Sequence, residues 1–167
     1  MFGLVMAEGD GAGLAGRELI EKMNNNISSE VWTPNKIEKW ITMVILGERV
    51  VMKGEGMRAY LIRGDKMALI FEGGKAVGGA TNEKDRFLLI SEKLNDLLTD
   101  EYLRQILAER TADEVAEKIK EKIVSTEDQV GLGSALIEVG LNTLLSEGEA
   151  GVVKPKRKFP KFKIPKI

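Results

Sequence analysis

The chain contains neither cysteine nor histidine in its 167 residues. Disulfide bonds, thiolate and imidazole metal ligands, cysteine nucleophiles and catalytic triads that need histidine are therefore excluded. Whatever chemistry the protein performs must use carboxylates, hydroxyls, lysine, arginine or the backbone.

Long hydrophobic runs are also missing, since none approaches the roughly 20 apolar residues that span a bilayer. Residues 1–4 lack the basic flank that begins a signal peptide. A content of 43% hydrophobic and 31% charged residues is typical of one soluble globular domain. We expect a cytoplasmic protein, and its many Glu, Lys and Ile residues would suit a thermophilic one.

The small net charge of −1 conceals two regions of opposite sign. Residues 152–167, called the basic tail below, carry seven of the 25 basic residues and no acid, which leaves 18 basic against 26 acidic residues in the rest of the chain. The body therefore has a formal charge of −8. Three prolines in the basic tail exclude a helix there.

The basic tail alternates lysine with phenylalanine and isoleucine. Such a segment can be a disordered solubilising tail or fold back onto the acidic body. It can also bind a protein partner as an extended peptide, or lie along nucleic acid or an anionic membrane. Its apolar residues favour a peptide that docks on a protein. The candidate partner-binding residues are Lys154, Lys156, Arg157, Lys158, Phe159, Lys161, Phe162 and Lys163.

Residues 2–7 form an apolar run, followed by a glycine-rich turn and a helical pattern, which predicts strand, turn and helix. Gly11, Gly13 and Gly16 match the spacing of the dinucleotide fingerprint, whose glycines admit a pyrophosphate to a helix N-terminus. That fold needs a second parallel strand further along, and residues 27–32 make a poor one. The other interpretation is a turn whose glycines permit positive φ.

Four short runs rich in β-branched and apolar residues, at 41–46, 49–53, 57–63 and 66–71, are separated by glycine-containing turns. This pattern predicts an antiparallel meander rather than a doubly wound parallel sheet. Thr33-Pro34 predicts a short helix over residues 35–40. The glycine-rich residues 73–82 are predicted to be a loop.

A further strand is predicted at residues 87–90, and helical spacing begins after Ser91-Glu92. Glu92 then stands at a strand end, where a carboxylate is well placed to hold a metal ion, although a polar residue is also an ordinary strand terminus. Helices are predicted at 100–108 and at 112–124, the second after a capping box at 111–114. Residues 134–139 are predicted as the last strand.

Three segments in order resemble motifs of the metal-dependent serine/threonine protein phosphatases of type 2C. Residues 5–13 are similar to the family's apolar strand followed by Asp-Gly-x-Gly-Gly, and residues 47–63 to its Asn-x-Gly-Asp-Ser-Arg-Ala-Tyr-Leu hairpin. Residues 85–98 resemble its Asp-x-Phe-Leu-Leu-x-Ser-Asp-Gly-Leu-x-Asp-x-Leu segment. The resemblance implies an α+β fold, an antiparallel β-sandwich flanked by helices, here truncated at the N-terminus.

In such a phosphatase two Mg²⁺ or Mn²⁺ ions, held by carboxylates and water, activate a hydroxide that attacks phosphoserine or phosphothreonine. The resemblance makes Glu8, Gly9, Glu92 and Asp128 the metal-site candidates. Asp128-Gln129 matches the family's late Asp-Asn loosely, and another register places Leu132-Gly133 there.

This chain departs from the family pattern where the metals bind. Glu8 replaces the bridging aspartate, Glu92-Lys93 replaces Asp-Gly, and Glu55 replaces the aspartate of the hairpin. Longer side chains displace ligand oxygens, which octahedral Mg²⁺ tolerates poorly, and Lys93 adds a competing cation. The family's N-terminal strand pair, which carries a phosphate-binding arginine and a metal-site acid, has no match.

We therefore expect a catalytically inactive pseudophosphatase domain at residues 1–139, a linker or short helix at 140–151, and then the basic tail. It would act as a protein-binding or regulatory module without a cofactor, and an exposed sheet edge would allow it to pair with itself or with another chain. One alternative is a phosphatase that retains Mg²⁺ or Mn²⁺ at its carboxylates. The other is a nucleotide-binding protein that uses the three glycines.

Overall fold

Two four-stranded antiparallel sheets pack face to face in the computed structural model, which describes residues 2–9, 11–25, 33–34, 37–107 and 111–140. The strands are β1 (Phe2–Glu8), β2 (Lys39–Leu46), β3 (Arg49–Glu55), β4 (Met57–Arg63), β5 (Lys66–Phe71), β6 (Gly74–Ala80), β7 (Arg86–Ser91) and β8 (Ser134–Glu138). Strand order is β1-β2-β3-β6 in the first sheet and β5-β4-β7-β8 in the second.

Helices cover the outer faces of both sheets. The helices are α1 (Ala12–Asn25), α2 (Glu92–Leu97), α3 (Asp100–Leu107) and α4 (Ala112–Val124). Helix α1 packs on the first sheet, where Met23 meets Val44. Helices α2, α3 and α4 supply Leu94, Leu103 and Val115 to a second cluster that also contains Leu88 of β7. The expected α+β architecture, a β-sandwich flanked by helices, is confirmed.

The main core lies between the two sheets and is built from alternate residues of their strands. Met43 and Met52 face it from the first sheet, and Leu61 and Leu89 face it from the second. Strand β7 is buried on both faces because its odd residues contact this core and its even residues contact the helical layer. Every residue from 87 to 91 is at most 1% exposed. Because β7 is held in place by packing on both faces, it also holds the two ends of the loops that join it.

Most of the predicted elements are confirmed. Strand β7, the helical run after it and the last strand lie where the apolar spacing placed them. Helix α4 begins with the predicted capping box, in which the Thr111 side chain accepts from the Glu114 N–H and the Glu114 side chain accepts from the Thr111 N–H. Two reciprocal bonds therefore satisfy N–H groups that a helix start leaves free.

Two sequence predictions are wrong. The helix predicted over residues 35–40 fails at Lys39 and Trp40, which begin β2 and pair with β1, whereas residues 35 and 36 lie outside the described ranges. The glycine-rich segment predicted as a loop is largely strand β6, which pairs with β3. Glycine suits this strand at Gly78, where an added Cβ would lie 3.2 Å from the Val50 carbonyl oxygen.

The predicted four-strand meander is also corrected, because the chain leaves one sheet for the other between β3 and β4. The first pair, β2 and β3, is a hairpin of the first sheet, and β4 and β5 form a hairpin of the second. Gly56 makes the crossing with φ +62°, in the left-handed region that side chains disfavour. Hydrophobic spacing identifies the strands but does not say which sheet each one joins.

An ion pair between Arg63 and the buried Asp85 carboxylate fixes the start of β7. The Asp85 carboxylate is 1% exposed and accepts two bonds from Arg63, at 2.8 Å from Nε and 2.7 Å from Nη2. It also accepts from the Asn82 N–H at 2.7 Å. The bidentate contact raises the pKa of the Arg63 guanidinium. Strands β4 and β7 are thereby tied together where the chain enters β7.

No helix among the described residues is long and apolar enough to cross a membrane. Apart from Gly140, the predicted linker at 140–151 and the whole basic tail lie outside the described residues. The named positions there, from Lys154 to Lys163, consequently stay sequence predictions.

Close packing of β2 on β3 predicts that Gly54→Ala destabilises the fold. An added Cβ would collide with the Trp40 carbonyl oxygen and lie 2.8 Å from the Ile41 Cα, both of them backbone atoms. We expect a loss of about 1–3 kcal/mol and a fall in Tm of several degrees, measured by circular dichroism. The matched control is Gly13→Ala in α1, where an added Cβ meets nothing within 4 Å; equal Tm values for the two variants would contradict this account.

Candidate metal centre

The predicted metal-site carboxylates come from three elements that meet at one end of the sandwich. Glu8 is the last residue of β1, and Glu92 is the first residue of α2, directly after β7. Asp128 lies in the segment between α4 and β8. The expected placement of Glu92 at a strand end is therefore correct.

Ser91 holds the turn from β7 into α2. Its side chain is buried, and its Oγ accepts from the Leu94 N–H at 3.3 Å as the helix N-cap. The same Oγ accepts from the Gly133 N–H at 3.1 Å, and the Ser91 N–H donates to the Gly133 carbonyl at 2.9 Å. Because one residue caps α2 and bonds the entry to β8, Glu92 and Lys93 are fixed relative to the segment that carries Asp128.

Lys93 pairs directly with one of the candidate ligands. Its Nζ lies 2.7 Å from Asp128 Oδ2 and 2.7 Å from the Val130 carbonyl oxygen. Asp128 Oδ1 accepts from the Val130 N–H at 3.2 Å. The hydrogen bond from Lys93, with the smaller help of the Val130 N–H, lowers the pKa of the Asp128 carboxyl. A lysine ammonium thus holds the carboxylate that the resemblance assigns to a metal.

Glu8 also faces a lysine. Its Oε1 lies 3.5 Å from Lys39 Nζ, across the β1–β2 pairing. An added Cβ at Gly131, which has φ +75°, would collide with Glu8 Oε1, so glycine lets the segment before β8 approach the carboxylate. The buried Oε2 has no hydrogen-bond partner in the described part of the chain.

Glu92 remains exposed to solvent, and the described residues offer it no ion pair. Among those residues no group of three or more acidic, histidine or cysteine side chains is arranged to hold a metal ion. Hard divalent cations need several oxygen ligands around one point. The residues present do not fit the metal pair implied by the resemblance, because Glu8 and Asp128 each face a lysine and Glu92 does not join them.

The glycine candidates lie at the start of α1. Gly9 and Gly11 have φ of +110° and +80°, and the Gly9 carbonyl accepts from the Ala12 N–H at 3.1 Å. Gly13 and Gly16 are helical. Because β1 and β2 pair antiparallel, the strand–helix–strand unit that normally carries this fingerprint is not formed here. Nucleotide binding by these glycines stays a prediction.

Two lysines supply the positive charge beside the candidate metal ligands, and the sequence predicted only one of them. Lys93 was visible as a cation beside Glu92. Lys39 gave no signal, because the helix predicted over residues 35–40 concealed that it lies opposite Glu8 in the β1–β2 ladder. The Val130 carbonyl was also missed, since a backbone acceptor carries no mark in the sequence.

Removal of the Lys93 ammonium is expected to raise the pKa of Asp128 toward its ordinary value. A lowered pKa in the folded state means that this contact stabilises the fold above the unfolded pKa of about 3.9 and is lost as pH falls through the folded pKa. NMR titration of the Asp128 side-chain carbon in wild type and in Lys93→Met measures the change. Lys93→Arg is the charge-preserving control, and identical titration curves for wild type and Lys93→Met would contradict the pairing.

Known proteins match this chain in fold and not in sequence. No family model matches the chain, and no curated protein matches it. PppA, described as a key regulatory component of T6SS in Pseudomonas aeruginosa, superposes with a TM-score of 0.59 at 12% identity, over 80% of this chain and 83% of that one. The phosphatase domain of Bacillus subtilis SpoIIE gives 0.56 at 12% identity, over 90% and 83%.

The Mycobacterium tuberculosis serine/threonine phosphatase PstP gives a TM-score of 0.53 at 14% identity, over 72% of this chain and 79% of that one. The PstP catalytic domain has also been solved in complex with two manganese ions. At identities this low, the superpositions demonstrate a shared architecture and leave the activity of this chain open. The chain therefore has the fold of the type 2C serine/threonine phosphatases.

Proposed function

We propose that this protein is a catalytically inactive phosphatase-like module that binds a protein partner. The observation that carries the first half is the pairing of the candidate metal ligands with lysines of the same chain. Asp128 is bonded to Lys93 at 2.7 Å, and Glu8 faces Lys39 at 3.5 Å. Each lysine supplies the positive charge that a divalent ion would otherwise bring.

The electrostatic argument concerns the space beside Asp128. Two like charges a few ångströms apart repel, and the repulsion grows as water is excluded. A divalent ion on Asp128 would have to displace the Lys93 ammonium, which also bonds the Val130 carbonyl, or share the carboxylate with it. The exposed carboxylate of Glu92 alone is too few ligands for a hard cation.

The competing hypothesis is an active phosphatase in which both lysines turn away and Glu8, Glu92 and Asp128 hold Mg²⁺ or Mn²⁺. The manganese complex of PstP motivates this alternative, because that protein shares the fold. In this chain the alternative requires that two lysine–carboxylate contacts break and that three separated carboxylates converge.

The second half of the proposal, partner binding, is supported by two features of the chain. One side of the sandwich ends in two strands, β1 and β8, that have no neighbouring strand beyond them in the described part of the chain. Open strand edges with apolar flanks bind additional strands. The basic tail alternates charged and apolar residues and opposes a body of charge −8.

A turnover assay tests the inactive half of the proposal. With Mn²⁺ or Mg²⁺ and para-nitrophenyl phosphate or a phosphothreonine peptide, we expect no hydrolysis above the buffer rate, because Glu8 and Asp128 each face a lysine. Glu8→Gln and Asp128→Asn are the matched controls. Metal-dependent hydrolysis that both substitutions reduce at least tenfold would overturn the proposal in favour of an active phosphatase.

Affinity capture tests the binding half. The full-length protein serves as bait beside a variant in which the seven basic residues of the tail are replaced by glutamine. Retention of a discrete set of proteins by the wild type and their loss from the variant is the expected result. Equal recovery by both baits would remove the tail as a docking element.

A further inference from the structure

The strands β1 and β8 lie on the same side of the sandwich, one at the edge of each sheet. Met6 of β1 approaches the entry to β8, since an added Cβ at Gly133 would lie 3.9 Å from its sulfur. Leu4 and Met6 share the central core cluster with Ala135 and Ile137 of β8. We call this side, formed by β1 and β8, the β1/β8 seam.

The core-facing side chains of the seam remain partly exposed to solvent. Leu4, Met6, Ala135 and Ile137 are partly exposed, whereas core residues on central strands, such as Met43, are fully buried. They are exposed because the sheets end there. The two edge strands therefore leave part of the apolar core uncovered between them.

The outer edge of β8 presents backbone groups that are ready to pair. The Val139 N–H donates to the Asp85 carbonyl at 2.8 Å, and the Gly133 carbonyl accepts from the Ser91 N–H at 2.9 Å. The odd residues of this segment thus bond toward β7. Alternation in an antiparallel ladder turns the N–H and C=O groups of Ser134, Leu136 and Glu138 away from β7.

The edge strands on the two sides of the sandwich differ in their sequence and in their pairing. On the opposite side, β5 and β6 each carry a lysine, Lys66 and Lys75, and each pairs with its neighbour through a register shift. Lysines and bulges are devices that keep an edge from pairing with other strands. Strands β1 and β8 contain no lysine, arginine or proline, and their ladders run without a shift. Strands β1 and β8 therefore lack both of these devices.

We propose that the β1/β8 seam binds the chain's own basic tail, which adds along the free edge of β8. This inference rests on the proposed function and deepens it, because the tail then controls access to the seam. In residues 161–164 lysine alternates with phenylalanine and isoleucine, the period-2 pattern of a strand with one apolar face. That face would cover the exposed core residues, and the lysines would face outward.

Charge favours the tail over a second copy of the seam. The carboxylates of Glu8 and Glu138 stand at the ends of the two edge strands. A symmetric pairing of two seams brings no basic side chain from β1 or β8. The tail brings seven basic residues to a body of charge −8.

The length and direction of the chain also suit this placement. The described structure ends at Gly140, just after β8, and residues 141–151 precede the tail. Eleven residues span up to about 36 Å when extended, and the five-residue β8 is about 17 Å long. The chain can therefore turn back and run antiparallel to β8. The short tether also gives the tail an effective concentration in the millimolar range.

Hydrogen exchange at the free edge of β8 tests the proposal in the full-length protein. The Leu136 N–H is the reporter, because it points away from β7 and gains a partner only if something adds to the edge. We expect its exchange to be at least tenfold faster in the double variant Phe162→Ser, Ile164→Ser than in wild type. The conservative variant Phe162→Leu, Ile164→Val is the matched control and should retain protection.

The Leu61 N–H in the central strand β4 reports whether the fold itself has changed, and it should exchange alike in all three proteins. Unprotected Leu136 in wild type would overturn the proposal, as would protection that survives the double serine variant. Protection that rises with protein concentration would instead assign the seam to a second copy. None of these outcomes depends on phosphatase turnover, so a failure here is separate from a failure of the proposed function.

Discussion

Strand β7 is buried on both of its faces, and the segments that carry the candidate site take their positions from it. Phe87 and Leu89 face the space between the sheets, and Leu88 and Ile90 face the helices. Because both faces of this strand are apolar, a slip by one residue would exchange one apolar face for the other, so the polar contacts at its two ends are needed to set the register. Asp85 anchors its beginning through Arg63, and Ser91 anchors its end through Leu94 and Gly133.

The positions of Glu92 and Lys93 follow from this anchored strand, and their chemistry follows from the neighbours they meet. Lys93 reaches Asp128 and the Val130 carbonyl, while Lys39 faces Glu8 from the adjacent strand. Ion pairs that reach solvent in this way contribute little to stability. Their importance is local, because a positive charge already lies beside two of the three candidate metal ligands, Glu8 and Asp128. The sandwich matches the phosphatase fold, and at the end where Glu8 and Asp128 lie the chain supplies two lysines of its own.

Sequence patterns recovered the elements whose signals are local. The strand at residues 87–90, the capping box before α4 and the antiparallel pairing of short strands all depend on spacing within a few residues. Two errors, a helix over residues 35–40 and a loop at 73–82, came from local signals that tertiary pairing overrides: Trp40 is drawn into β2 by β1, and the glycines of β6 suit a close approach to β3. The contact between Lys39 and Glu8 joins residues 31 positions apart, so it emerges only once β1 and β2 are known to be neighbours.

We propose that lysines of this chain take the place of the divalent cations in a phosphatase fold. The amplitude of the electron paramagnetic resonance signal of free Mn²⁺, measured as full-length protein is added, reports metal binding without any need for turnover. We expect the signal to be unchanged by wild-type protein. A loss that corresponds to two bound ions per chain, and that Glu8→Gln and Asp128→Asn abolish, would contradict it.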